Sequence, residues 1–343
     1  MKKQITFILV AIALALNSLS AQDTFSIIAV DPETGEVGSA GATCVPGIGA
    51  LGGVILLNSI IPGRGGVNAQ AWICIDPHIN LDNAIEQMDM GLSPQEVLDW
   101  LYDNDACFSQ NFNPEYRQYG VADFSPEGEP RAAAFTGVST DDWKGHRVGS
   151  NYAIQGNILK GPEVVDSMEA HFLAAEGSLA FKLMAAMQGA NIVGADARCT
   201  AAGTSSTSAF LRVFKPDDAP DAPYLELNVA ETPTGQEPID SLQTLFDAWV
   251  VSSASELASP DHSPIHISPN PSNGQIRVTW LNPSNFREGM LLQLIHLGGS
   301  YLKRIPYNQP NLELVLEQEG VFIIQLFDRE GHTLATEKVI HVK

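Results

Sequence analysis

Basic residues are scarce in this sequence. Across 343 residues, 19 Lys and Arg stand against 40 Asp and Glu, a formal net charge of −21. A field of that sign repels phosphate backbones and anionic headgroups, which argues against nucleic acid or a membrane surface as the partner. Cysteine is sparse as well. Cys44, Cys74, Cys107 and Cys199 are widely spaced and contain no C-x-x-C pair, so neither a zinc ribbon nor thioredoxin-like redox chemistry is indicated. The histidines form no His-Glu-x-x-His helix, and no Gly-x-Ser-x-Gly elbow occurs. The glycine-rich stretch 47–53 lacks the lysine and following Ser or Thr of a phosphate loop. No metal or cofactor is therefore expected. Beyond residue 21 no apolar run approaches the ~20 residues that a bilayer span needs, and there is no internal repeat or low-complexity tract.

What is present begins with an export pattern. Lys2 and Lys3 precede an apolar run over 5–16, and Leu19-Ser-Ala21 offers a small residue for cleavage, so residues 1–21 read as a secretory signal. In an oxidising compartment the four cysteines allow up to two disulfides in three connectivities; small buried thiols are the alternative.

The stretch Thr24 to Cys44 organises the chain beyond that signal. Residues 25–30 are an apolar, β-branched run, Asp31-Pro-Glu-Thr-Gly35 is a turn with Pro32 presetting φ, and 37–43 is a returning strand of small residues that admits close packing. The spacing then predicts strands over 54–61 and 67–75 and a helix over 80–89. A second helix opens at Ser93-Pro-Gln-Glu96, with the signature of a capping box. A hairpin comes next over 117–124 and 131–136, then a strand over 152–159. Helices are expected over 162–172, 179–190 and 239–251, with strands over 205–214 and 224–229 between the last two. Strands and helices in blocks rather than strict alternation indicate an α+β fold. Composition marks 252–264 as a Ser/Ala/Pro-rich linker between a first domain at 22–251 and a second at 265–343. The second domain has short alternating runs and regular turns, including Asn270-Pro-Ser-Asn-Gly274, Gly298-Gly299 and Arg329-Glu-Gly331, and reads as a small all-β sandwich.

Four groups of residues could carry chemistry. Thr24 heads its strand; a threonine hydroxyl becomes a nucleophile when the α-amine of the same residue is free to take its proton, and is otherwise an ordinary strand residue. Asp196 and Arg198 stand two apart, so on an extended segment both point the same way, either as a supporting pair in a cleft or as a surface ion pair. Gln155 and Asn157 share one strand face among apolar neighbours; buried amides need partners, which are loop backbone or a substrate oxyanion. His146 and Arg147 would steer an anionic group, unless they form a plain surface step.

Several stretches resemble a known family: Thr24-Phe-Ser-Ile-Ile-Ala-Val-Asp-Pro-Glu-Thr-Gly35, Tyr119-Gly-Val, Ala134-Phe-Thr-Gly137, Gly145-His-Arg147, Tyr152-Ala-Ile-Gln-Gly-Asn-Ile-Leu-Lys-Gly-Pro-Glu-Val164 and Gly194-Ala-Asp-Ala-Arg198. Together they make 24–251 similar to the bacterial domain of unknown function 1028, which is grouped with the N-terminal-nucleophile (Ntn) hydrolases. The resemblance implies a four-layer αββα sandwich. It implies no established reaction; by analogy with the Ntn hydrolases the expectation is amide-bond hydrolysis, with Thr24 as nucleophile, Asp196, Arg198 and Asn157 as its catalytic surroundings, and Gln155, His146 and Arg147 as substrate-binding candidates. That chemistry needs Thr24 as the first residue, whereas a cut after Ala21 leaves Gln22 and Asp23 ahead of it. Ser268-Pro-Asn-Pro-Ser-Asn-Gly274, Gly320-Val-Phe-Ile-Ile-Gln-Leu326 and Lys338-Val-Ile-His-Val-Lys343 resemble the C-terminal sorting domain of the type IX (Por) secretion system. Its implied partner is that export machinery, and the implied location is outside the cell or on its surface. Two functional readings stand: a secreted hydrolase acting on a peptide-like or amide substrate, or a non-catalytic extracellular binding protein on the same fold.

Overall fold

The computed structural model describes residues 24–257, 263–282, 284, 286–296, 302–316, 320–329 and 332–341. The signal segment at 1–21, Gln22 and Asp23, residues 258–262 of the expected linker, the Gly298-Gly299 turn and residues 330–331 lie outside that set.

Strands β1 (Thr24–Val30) and β2 (Val37–Thr43) form the expected hairpin, with Thr24 opposite Thr43 and Val30 opposite Val37. Gly35 closes the turn at φ 74°, its N–H donating to the Asp31 carbonyl. Strands β3 (Asn58–Ile61), β4 (Gly65–Gln70), β5 (Gln118–Phe124) and β6 (Pro130–Thr136) pair in chain order as an antiparallel sheet. The hairpin itself belongs to a six-stranded sheet with β7 (Gly145–Val148), β8 (Tyr152–Gly156), β9 (Ser208–Phe214) and β10 (Leu225–Val229). The order is β10-β9-β2-β1-β8-β7, all antiparallel.

The two sheets face each other, β1 and β8 lying over β4, β5 and β6. Helices α1 (Ile79–Asp89) and α2 (Pro94–Asp103) cover the outer face of the four-stranded sheet. Helices α3 (Glu163–Ala174), α4 (Leu179–Gly189) and α5 (Pro238–Leu257) cover that of the six-stranded sheet. The chain is thus a mixed α+β protein, as its block pattern predicts. Strand alternation explains both cores. Phe25, Ile27 and Ala29 of β1 join Ala40 and Ala42 of β2 under the helices. Gly38 lets α4 approach, since a Cβ there would sit 2.7 Å from Leu183 Cδ1. The opposite face of β1 reads Thr24, Ser26, Ile28, Val30. Its aliphatic end packs with Ile60, Ala122, Phe124 and Phe214 between the sheets, and its hydroxyl end meets polar side chains instead.

Helix α2 begins with the capping box, the Ser93 side chain accepting from Glu96 N–H and the Glu96 carboxylate accepting from Ser93 N–H. Several expectations are altered: the strand expected over 67–75 ends at Gln70, before left-handed Ala71 and Trp72, and that over 152–159 ends at Gly156. Residues Val54–Leu57 form a 3-10 turn and only 58–61 a strand, because the apolar run turns inward at Gly53 (φ 97°) instead of pairing. Strand β7 is an addition to the reading, and α5 continues through Leu257 into the expected linker.

The C-terminal strands form two sheets around an apolar core of Ile267, Val278, Leu292, Tyr307, Phe322 and Ile324. One sheet is β11 (Ile265–Ser268), β12 (Gln275–Trp280) and β15 (Asn311–Val315). The other is β13 (Met290–His296), β14 (Leu302–Tyr307), β16 (Gly320–Phe327) and β17 (Thr333–His341). Among the described residues no helix is long and apolar enough to cross a membrane.

Candidate functional site

The hydroxyl end of β1 is where the buried polar groups collect. Thr24 is 2% exposed, at the start of β1. Its main-chain nitrogen donates to Asn157 Oδ1 at 3.2 Å, and the Asn157 N–H donates back to the Thr24 carbonyl at 3.1 Å. That same carbonyl accepts from Gln70 Nε2 at 2.9 Å. Gln70 is the residue that strand spacing alone did not single out. Its amide is locked from every side, donating also to Gln118 Oε1 at 2.7 Å and accepting from Ser26 Oγ at 2.7 Å.

From there a seam of amides and hydroxyls runs between the sheets. Gln155 Nε2 donates to Ser26 Oγ at 2.6 Å, and the Gln155 oxygen lies over Gly120, where no Cβ would fit. Gln118 Nε2 donates to the Gly156 carbonyl and to Thr136 Oγ1, which bonds His146 Nδ1 at 2.9 Å. These amides are all buried, so each costs free energy unless paired. Two atoms are exceptions: Asn157 Nδ2 beside Thr24 and Gln155 Oε1 over Gly120 are buried without a hydrogen-bond partner.

Backbone strain flanks Thr24 on both sides. Ala71 (φ 61°) and Trp72 (φ 48°) follow Gln70, and Ile158 (φ 47°) follows Asn157. These are left-handed conformations that cost a non-glycine residue on the order of 1–3 kcal/mol each, most for a β-branched one. Asp141 grips both segments, its carboxylate accepting from Trp72 Nε1 at 2.8 Å and its carbonyl from Ile158 N–H at 3.2 Å. The fully buried Arg117 guanidinium donates to the Trp72 carbonyl and pairs with Asp105 at 2.8 Å.

Asp196 reaches the site through β2. Its Oδ2 accepts from Cys44 N–H at 2.8 Å, one residue beyond the Thr43 that faces Thr24. Arg198 pairs with the same carboxylate, Nη2 to Oδ2 at 2.6 Å and Nε to Oδ1 at 3.0 Å. Asp196 caps a 3-10 turn, Ala197–Ala202, where an extended segment was expected, so the pair forms because the arginine folds back over the cap. The Cys44–Cys199 disulfide fastens this corner and Cys74–Cys107 the loop after α2, selecting one of the three connectivities.

Asn157 and Thr24 are in direct contact, and Asp196 with Arg198 is one strand away. Gln155 lies deeper in the seam, where its Nε2 has the Ser26 hydroxyl as partner and its Oε1 has none. His146 and Arg147 lie on β7: His146 ends the seam, with its pKa lowered by burial and then by Arg147, and Arg147 pairs with Asp166 of α3 at 2.5 Å. Among the described residues no group of three or more His, Cys, Asp or Glu side chains could hold a metal ion.

Two antiparallel sheets stacked between helices, with a threonine-headed strand at the polar end of their interface, define the class of protein. The model of the "Family of unknown function (DUF1028)" matches residues 24–242, more than half of the chain, and the chain belongs to that family. The crystal structure of a Silicibacter pomeroyi protein carrying the same family description is similar at a TM-score of 0.51 and 25% identity. The similarity covers 66% of this chain and 88% of that one. None of the curated proteins matches.

Proposed function

We propose that the protein is an amide-bond hydrolase of the Ntn type, with Thr24 as nucleophile and two sheets between helices as its αββα frame. The observation that carries this reading is the pairing of Thr24 N with Asn157 Oδ1, together with the unpartnered Asn157 Nδ2. With Thr24 as first residue, its α-amine donates one hydrogen to Asn157 Oδ1 and keeps its lone pair for the hydroxyl proton. The hydroxyl oxygen attacks the substrate carbonyl. The oxyanion that forms takes a hydrogen bond from Asn157 Nδ2, and the ammonium returns its proton to the departing amine. Water then hydrolyses the Thr24 ester. Gln70 and Gln155 support the strand that carries the nucleophile, and Asp196 with Arg198 braces the neighbouring one. The strained residues after Gln70 and Asn157 also support a site here, since such strain gathers where function requires it.

The substrate is extracellular and peptide- or amide-like. Two disulfides fit an oxidising compartment, and the C-terminal strands at 265–343 would serve as a type IX sorting domain addressing the exported protein. The burial of Thr24 favours one competing reading, a binding protein that keeps the fold without the chemistry. Conversion of Thr24 to Ala separates them. A hydrolase loses turnover of every amide substrate, whereas a binding protein is unaffected in ligand affinity and has no turnover to lose.

A further inference from the structure

The space next to Thr24 is walled on one side by aliphatic side chains. Val45, Ile48, Val54, Leu56, Leu57 and Ile73 line it together with Thr24, Thr43 and Gln70, and they leave a cavity of only about 10 Å³. Such a volume holds one water at most. All of these aliphatic walls except Ile73 come from one segment, the chain just after β2, and its course explains how it covers Thr24. Two short 3-10 turns, Ile48–Leu51 and Val54–Leu57, are hung between Gly47 (φ 75°), Gly52 (φ 91°) and Gly53 (φ 97°). At Gly47 and Gly52 a Cβ would meet nothing within 4 Å, so the chain is unpacked at two of its bends. The cover is held shut by polar contacts at its rim. Gly47 and Gly49 N–H donate to the Glu231 carboxylate at 2.9 and 3.2 Å, and Asn228 Nδ2 donates to the Gly52 carbonyl at 2.7 Å.

We infer that this segment forms the specificity pocket for the acyl side of the substrate, and that the group it accepts is an uncharged aliphatic side chain. The inference rests on the proposed Thr24 chemistry. The acyl part stays bound to Thr24 as an ester, so whatever flanks its carbonyl must lie against the residues that touch Thr24. Those on this side are branched aliphatics with no charge among them, and a charged side chain placed there would lose its hydration without a partner. Entry displaces Leu57 and Ile48 outward about the glycine bends. Leu57 and Ile48, each 2% exposed, set the pocket's size, Leu57 packing with Val54 and Phe210 under the cover.

The test uses the exported protein with Thr24 as its first residue and a panel of aminoacyl p-nitroanilides bearing Ala, Val, Leu, Asp and Lys side chains. Val and Leu substrates are expected to exceed Asp and Lys in kcat/KM by at least about tenfold, the scale at which hydrophobic pockets discriminate. Leu57→Phe should move the preference toward Ala, and Ile48→Ala toward Leu; both are apolar replacements that keep the cover folded, which a melting curve verifies. Preference for a charged side chain, or a profile unchanged in both variants, overturns the pocket and leaves the hydrolase reading standing. A wild-type protein that cleaves no member of the panel overturns both.

Discussion

The Thr24 main chain is held at both ends by buried amides: its nitrogen by Asn157 Oδ1 at 3.2 Å and its carbonyl by Gln70 Nε2 at 2.9 Å. Each amide is followed at once by left-handed non-glycine backbone. The first strand therefore ends in a residue whose position is fixed by neighbours from both sheets.

In the proposed hydrolase, replacing Asn157 by Asp would keep an acceptor for the Thr24 amine and remove the donor for the oxyanion. Turnover should fall by about 10²–10³, the loss that accompanies removal of one oxyanion donor. KM should change little. Steady-state kinetics beside an unchanged circular-dichroism spectrum checks this.

Gln70→Leu strips the Thr24 carbonyl, Ser26 Oγ and Gln118 Oε1 of one partner each. The Thr24 carbonyl keeps the Asn157 N–H, but the Ser26 hydroxyl hydrogen and Gln118 Oε1 are stranded, at about 1–3 kcal/mol apiece. Denaturant unfolding should register a loss of several kcal/mol, and Gln70→Glu should not restore it, since a carboxylate cannot donate to Thr24.

The two disulfides differ in the loops they close, with sequence separations of 155 for Cys44–Cys199 and 33 for Cys74–Cys107. Chain-entropy reasoning gives ~5 and ~4 kcal/mol respectively. The Cys44→Ser/Cys199→Ser protein should unfold at lower denaturant than Cys74→Ser/Cys107→Ser. Its deficit should be larger still, because the first bridge also holds the corner where Asp196 meets Cys44 N–H.

His78 gives the fold a pH dependence. Burial pushes its pKa from 6.5 down to about 4. Between those values the unfolded chain binds the proton and the folded one does not. This contribution is therefore complete above about pH 6.5 and is lost as pH falls toward 4, on the order of 3 kcal/mol in all. Unfolding free energies of wild type and His78→Gln measured at pH 4 and pH 7 should differ in slope by that amount.

Much of the frame was legible because local chemistry and tertiary demand agree. Asp31-Pro-Glu-Thr-Gly35 can only turn, and Ser93 with Glu96 starts a helix in isolation as it does here. Gln155 could be placed facing the other sheet because strand alternation is strict, whereas Asn157 lies just past the end of β8. Where side chains serve a distant partner, the signal was absent. Residues 54–57 look like a strand by hydrophobicity, yet their aliphatic groups cover Thr24 and the backbone coils to allow it. Nothing about Ala71, Trp72 or Ile158 announces a left-handed conformation; Asp141 and Arg117, distant in sequence, impose it. Gln70 was hidden for the same reason, since its importance lies in what the other sheet brings to it.

The central claim is tested most directly by the N-terminal sequence and intact mass of the purified protein in its active form. Catalytically competent molecules are predicted to begin at Thr24, and Thr24→Ala molecules, folded and equally trimmed, to turn over nothing. Full amide hydrolysis by protein that still carries Asp23 ahead of Thr24 would contradict it.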